Sequence, residues 1–235
     1  MDKQALRERI WDKLDESGTA RFPFPPHGRI PNFDGAADAA ERLAQNTAWQ
    51  EASTIKSNPD SPQRPVRKRA LAAGKTVYMA VPRLRDEACF LRLDPDSIDD
   101  YDHATTINGS FEVGEQITPE AMETIDLIVS GSVAITESGG RIGKGEGYSD
   151  LEFAILRECG LVDDETTTAT TVHEIQLIDD EVPEAPHDVP IDLVVTPQQT
   201  VRDERREKPS GLRWTNLSEE RIDEIPILQH LMDEQ

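Results

Sequence analysis

Cysteine is nearly missing from this chain: Cys89 and Cys159 are the two in 235 residues, far apart and without a CxxC pair. That argues against a disulfide scaffold and a local redox motif, and both thiols are expected to be buried. Positive charge is also scarce, with 25 Lys and Arg against 46 Asp and Glu and a formal net charge of −21. A field of that sign repels nucleic acid and anionic membranes, so neither is an expected partner, and any phosphate must be held by a local set of donors. The acids are spread along the whole chain and Arg outnumbers Lys, which reads as the solvated acidic surface of a halophilic protein, with an ordinary acidic cytosolic protein as the alternative. Long apolar runs are absent too. The longest, LIVSGSVAI at Leu127 to Ile135, is too short to cross a bilayer as a helix. The opening MDKQALRERIWDKL lacks an apolar core followed by a cleavage site, so it reads as an amphipathic helix, not a secretory signal. A cytoplasmic location is expected.

Motifs for protein-side catalysis are missing as well. His173-Glu174 opens like HExxH, but Leu177 stands where the second zinc-binding histidine would be needed. The other histidines are scattered, and no Cys or His falls in a local nucleophile signature. If the chain is an enzyme, a bound cosubstrate does the activating.

What is present is an alternation of helix and strand. Hydrophobic residues make up 36% of the chain, enough for a folded core. FPFPPHGRIPNF at Phe22 to Phe33 is too proline-rich for regular structure and is expected to wrap as an extended arm. Asp34 can cap a helix running through Ala36, Ala40, Leu43, Ala44 and Ala48; Ser61-Pro62 starts the next, with Val66, Ala70 and Ala73 on one face and Gly74 at its end. TVYMAVP, ACFLRLD, DLIVSGSVAI, TTVHEIQLI and DLVVTP read as strands, several too continuously apolar to be half exposed. The pattern predicts an α/β fold with a mostly parallel sheet and a ligand site at the carboxyl ends of its strands. No internal repeat or second domain is expected. Residues 1–200 should form the α/β domain, and 201–235 a charged linker, VRDERREKPSG, with a C-terminal helical extension around IDEIPILQHL. The cluster RPVRKRALAAGK, around Arg67, Lys68 and Arg69, reads as a solvated helix face.

The stretch RIGKGEGYSDLEFAIL, Arg141 to Leu156, spaces glycines at 143, 145 and 147 just before an apolar-periodic helix. Alternating glycines can turn successive N–H groups inward, and the helix start adds its own unpaired amides, an arrangement suited to an anion. It is neither G-x-G-x-x-G nor a Walker loop, so from context alone a phosphate loop and a tight structural turn are equally open. Lys3 and Arg7 lie one helical turn apart and can reach the same side, although a surface salt-bridge face is the usual explanation.

Together these elements resemble the 5-formyltetrahydrofolate cyclo-ligase, or methenyltetrahydrofolate synthetase, family over nearly the whole chain. K-x-x-L-R appears as Lys3, Leu6 and Arg7. An acid before a helix ending in G-K and a strand ending in Pro-Arg appear as Asp60, Gly74-Lys75 and Pro82-Arg83. The motif G-x-R-[LI]-G-x-G-x-G-Y-[YF]-D appears from Gly139 or Gly140 through Arg141, Ile142, Gly143, Gly145, Gly147 and Tyr148 to Asp150. Gln176, His187-Asp188, Asp192 and Thr196-Pro197 match the family's later positions. The resemblance implies a three-layer α/β/α, Rossmann-like fold and an ATP- and magnesium-dependent closure of 5-formyltetrahydrofolate, or a related reduced pterin, to its 5,10-methenyl form. The formyl oxygen would attack the γ-phosphate, and N10 would then attack the phosphorylated imidate and expel phosphate.

Carried over by resemblance, Lys3, Arg7, Gly140, Arg141, Gly143, Lys144, Gly145, Gly147 and Tyr148 would bind ATP. Arg141 and Asp150 would be catalytic, with Asp150 on the magnesium ion. Tyr148 and Asp60 would border the pterin, Asp60 being one methylene shorter than the family glutamate. Two positions depart from the pattern: Ser149 replaces the second aromatic, and Leu151 replaces a common Arg. The closer resemblance is to a divergent branch that includes the synthetase-domain-containing proteins of animals, some with an added RNA-binding module that is not expected in these 235 residues. A non-catalytic nucleotide-binding or RNA-associated relative is the alternative function.

A surface carrying −21 repels itself, and salt screens that repulsion. Melting temperature is therefore expected to rise markedly between about 0.1 M and about 2 M potassium chloride. Equal values would count against a halophilic surface.

Overall fold

A computed structural model describes residues 2–202 and 206–233. In chain order its strands are β1 (Ala20–Arg21), β2 (Asn32–Phe33), β3 (Thr54–Ser57), β4 (Thr76–Ala80), β5 (Phe90–Leu93), β6 (Glu115–Ile117), β7 (Leu127–Ser130), β8 (Ala134–Thr136), β9 (Arg141–Ile142), β10 (Thr167–Thr171), β11 (Leu177–Ile178), β12 (Leu193–Val195) and β13 (Thr200–Arg202). Its helices are α1 (Lys3–Glu16), α2 (Ala36–Ala44), α3 (Thr47–Glu51), α4 (Arg64–Ala72), α5 (Tyr101–Ala104), α6 (Ile107–Val113), α7 (Tyr148–Glu158), α8 (Glu219–Glu224) and α9 (Pro226–Asp233). The main sheet has the order β13-β12-β10-β7-β3-β4-β5-β6. Its centre, β12 to β4, is parallel, and β13, β5 and β6 join antiparallel at the edges. No helix among the described residues is long and apolar enough to cross a membrane.

Successive strand side chains point to opposite faces, and the sequence supplies apolar residues to both. Val77, Met79, Leu127 and Val129 face one cluster with Leu43 of α2 and Val66, Ala70 and Leu71 of α4. Tyr78, Ala80 and Ile128 face the other, with Phe153, Ile155 and Leu156 of α7 and Ile227 and Leu228 of α9. The expected three-layer α/β/α architecture is therefore formed. A small second sheet, β11-β8-β9, carries α1, whose Leu6, Ile10, Trp11 and Leu14 pack on Val133, Ala134 and Ile142.

Several local expectations change. The proline-rich arm folds back on itself, because Ala20 pairs with Phe33 and Arg21 with Asn32. Asp34 pairs with Arg21 at 3.0 Å, and Gly35, with φ 84°, takes the position before α2. DLIVSGSVAI is two strands in two sheets, β7 and β8, broken at Gly131-Ser132; TTVHEIQLI likewise divides between β10 and β11. Gln176 holds the first break, its amide donating to the carbonyl oxygens of Ser132 (2.9 Å) and Val133 (3.2 Å). Ala73 is exposed at the end of α4, and Leu71 takes its place on the buried face. Thr200–Arg202 is an edge strand, so the division drawn at residue 200 runs through the sheet; residues 203–205 of the expected linker lie outside the described residues. Cys89 is buried, which pushes its thiol up to about 12, whereas Cys159 is only half-buried.

The largest correction concerns the basic cluster. Arg67 is 1% exposed and does not belong to a solvated face. Its Nη1 donates to the carbonyl oxygens of Asn58 (2.5 Å) and Asp60 (3.1 Å), and its Nη2 to those of Pro59 (3.2 Å) and Thr105 (3.0 Å). Burial lowers its pKa to about 10, so it stays charged at neutral pH. Its outward neighbours Lys68 and Arg69 sit beside Asp102 and Glu41. Arg67→Ala would leave four carbonyls without their donor, and a loss of about 3 kcal/mol or more is expected in urea unfolding.

Candidate functional site

The loops that leave β3, β4 and β7 open together at the carboxyl edge of the sheet, and with α1 and the glycine loop they enclose a cleft of about 440 Å³. The packing of α1 on β8 and β9 places Lys3 and Arg7 on its wall. Arg7 Nε donates to the Gly143 carbonyl at 2.7 Å, and Lys3 Nζ pairs with Asp188 at 2.5 Å. The salt-bridge face expected of Lys3 and Arg7 is thus an inward contact between the first helix and the glycine loop. Partial burial lowers the Arg7 pKa.

The glycine loop depends on backbone that other residues resist. Gly145 has φ 104° and Gly147 φ 71°, and a Cβ built on Gly145 would lie 3.2 Å from the Arg7 guanidinium carbon. Gly147 precedes α7, and no side chain caps that helix start. Arg141, at the base of the loop, donates Nη2 to both oxygens of Asp150 (2.8 and 2.7 Å) and Nη1 to the Gly131 carbonyl (3.0 Å). Asp150 also accepts from the Val189 N–H at 3.1 Å. Lys144 pairs with Glu146 at 2.8 Å. Tyr148 opens α7 beside the cleft, and its hydroxyl accepts from Arg221 at 3.0 Å.

Asp60 reaches the cleft from the loop after β3. Burial raises its pKa above the ordinary aspartate value; Lys144, Arg67 and Lys56 oppose that shift and Glu152 adds to it. Beneath it, Lys56 of β3 and Glu152 of α7 form a buried ion pair, and Glu152 lines the cleft floor. Sequence reading overlooked this pair and Arg221. The available signal for the pair was an acid on the apolar stripe LEFAIL; Lys56 stands in STIKS, where only Ile55 is apolar and nothing marks a buried strand.

One assigned residue falls elsewhere. Gly140 is buried in a turn behind the cleft, where its N–H donates to Thr136 Oγ1 (2.8 Å) and its carbonyl accepts the Thr136 N–H (3.0 Å), so neither group can serve a ligand in the cleft. Asp192 and Gln176 are also structural: Asp192 pairs with buried Lys208 at 2.9 Å. Ser149 stands against Asn58 and Ser130 at the strand ends, and Leu151 is buried in the cluster shared by α7 and α9.

A parallel α/β/α sheet with a glycine-looped cleft at its carboxyl edge defines an α/β protein of the doubly wound class, whose ligands sit at that edge. The comparisons narrow this. The model of the 5-formyltetrahydrofolate cyclo-ligase family matches residues 1–197, and the chain belongs to that family. It is 40% identical over 240 residues to the methenyltetrahydrofolate synthase domain-containing protein of Mus musculus, covering 99% of this chain and 64% of that protein. The Homo sapiens protein of the same name is 36% identical over 238 residues, covering 98% of this chain and 61% of its own length. The chain thus spans a little under two thirds of these curated relatives. The NMR structure of Aquifex aeolicus 5,10-methenyltetrahydrofolate synthetase superposes with a TM-score of 0.55 at 17% identity, over 92% of this chain and all of that one, and shares the fold.

A carboxyl whose pKa is raised on folding costs stability where it is ionised, and that cost fades as pH falls through the raised value. Asp60→Asn is therefore expected to melt above the wild type at about pH 8, with the advantage lost as pH falls toward the ordinary aspartate value of about 3.9. A constant difference across that range in thermal unfolding would show that Asp60 does not titrate in this way.

Proposed function

We propose that the chain catalyses the ATP- and magnesium-dependent closure of 5-formyltetrahydrofolate, or a related reduced pterin, to the 5,10-methenyl form. The observation that carries the reading is the convergence of Lys3, Arg7, Arg141 and Lys144 on one glycine loop in a chain of net charge −21. Family membership supports the same chemistry. Lys3, Arg7 and the amides from Gly143 to Gly147 would hold the phosphates, and Arg141 would follow charge onto the transferred group. Tyr148 and Asp60 would border the pterin, with the carboxyl of Asp60 orienting the formylated ring. No protein nucleophile is needed: the formyl oxygen would displace ADP from the γ-phosphoryl group, and N10 would then displace phosphate from the activated carbon and release its proton. Catalysis is then positioning and charge neutralisation.

The residues present fit magnesium only as an ion carried by phosphates. Among the described residues no group of three or more His, Cys, Asp or Glu could hold a metal, and both Asp150 oxygens are already engaged by Arg141. Asp150 would offer it a single oxygen, as is common where phosphates and water supply the remaining ligands. Bound there, magnesium would neutralise charge on the phosphoryl oxygens.

The mutual pairing of Arg141 and Asp150, and the loss of an aromatic at Ser149, favour the second reading, a nucleotide-binding relative without turnover. Absorbance of the methenyl product separates the two, with purified protein, ATP and 5-formyltetrahydrofolate at high salt: ATP binding without product would select the second. Arg141→Ala is expected to weaken ATP binding by about 1.5 to 3 kcal/mol, as for a hydrogen-bonded charge. Gly145→Val should be worse, since its side chain would strain a positive φ and press on Arg7. Wild-type affinity of both folded variants in calorimetry would reduce the loop to a turn.

A further inference from the structure

Arg221 lies beyond the residues that the family model matches, on α8. Its guanidinium carbon stands 4.1 Å from the centre of the Tyr148 ring, and its Nη1 donates to the Tyr148 hydroxyl at 3.0 Å. Its Nη2 donates to the carbonyl oxygen of Glu146 at 3.4 Å. One side chain therefore joins the glycine loop to the first residue of α7. Its own position is fixed from behind. Ser218 Oγ accepts the Arg221 backbone N–H at 3.2 Å, and Ile225, Ile227 and Leu228 after it are buried in the cluster that holds Phe153 and Ile155 of α7.

The loop has need of such a tie. Lys144 to Gly147 are exposed, two of the four are glycines, and the start of α7 carries no side-chain cap. Glycine backbone loses more freedom on ordering than any other, so an untied loop would have to be ordered by its ligand. A planar guanidinium meets this need with two directed donors and a face for the ring, which an ammonium cannot supply together.

We propose that Arg221 is a positioning residue of the cleft: the C-terminal segment clasps the glycine loop and Tyr148 through it, so that the ligand-holding backbone is ordered before a ligand arrives. The inference rests on the reading of this cleft as the site for ATP and a reduced pterin. It makes the region beyond the family match a working part of the site. Arg221 lies outside the cleft wall and acts through Tyr148 and Glu146.

The test compares the 235-residue wild-type chain with Arg221→Ala, Arg221→Lys and a control on the same helix, Glu220→Ala, whose side chain is exposed. Hydrogen exchange of the ligand-free chains is read at residues 151–153, the first hydrogen-bonded amides of α7, where the Leu151 N–H donates to the Gly147 carbonyl, and at 225–231; calorimetry follows with ATP and with 5-formyltetrahydrofolate. Arg221→Ala is expected to lower protection at 151–153 by about five- to thirty-fold, the worth of one cation–π contact and one hydrogen bond, while 225–231 is unchanged. ATP affinity should fall by a similar factor; Arg221→Lys should recover part of both, and Glu220→Ala should match the wild type. Unchanged protection at 151–153 in Arg221→Ala would overturn the proposal, as would an equal loss at 225–231, which would make Arg221 an anchor of the C-terminal fold only. If the wild type binds neither ligand, the functional reading fails while exchange still decides the clasp.

Discussion

The ion pair between Lys56 and Glu152 is the contact on which the arrangement of the cleft depends. Both side chains are buried, so neither charge can be left alone without a cost of several kcal/mol. Lys56 lies on β3, in the middle of the sheet, and Glu152 on the helix that begins at the glycine loop. A shift of α7 along the sheet would separate them, so the loop, Tyr148 and Asp150 inherit their place from this pair. On the opposite side of β3, Arg67 binds three consecutive carbonyls at Asn58, Pro59 and Asp60. Two buried cations thus fix the carboxyl end of this strand from opposite faces, behind the wall of the cleft.

The two departures from the family pattern have a physical setting. Leu151 is buried among apolar residues of α7 and of the C-terminal helices, where a guanidinium would be desolvated. Packing against α9 and a charged residue at that position are therefore alternatives. Ser149 lies close to the ends of β3 and β7, within reach of Asn58 and Ser130, and a small side chain there leaves open the space that a second ring would fill.

Much of this was legible before any coordinates. Continuous apolar runs such as TVYMA identified strands covered on both faces, and the order of glycines from Gly143 to Gly147 before an apolar helix located the loop. Other features were hidden for reasons that follow from the physics. One of the two central strands, β3, is four residues long and contains a lysine, so periodicity passes over it. Arg67 looks like surface because it stands between basic neighbours, and only the three-dimensional course of residues 58–60 shows what it holds. DLIVSGSVAI reads as one strand because the bend at Gly131-Ser132 interrupts its direction without interrupting its hydrophobicity. Arg221 and Tyr148 are 73 residues apart, and no local pattern marks their meeting.

The Arg141–Asp150 pair changes the character of binding in this cleft. Five cations and five acids line it, and the guanidinium best placed at the root of the glycine loop already has a carboxylate across both oxygens. Lys3 and Lys144 are likewise paired, with Asp188 and Glu146. An anion arriving at Arg141 would therefore exchange one ionic partner for another, and the released carboxylate would have to find a proton, a cation or water. The affinity of such a site would be a difference between two pairings.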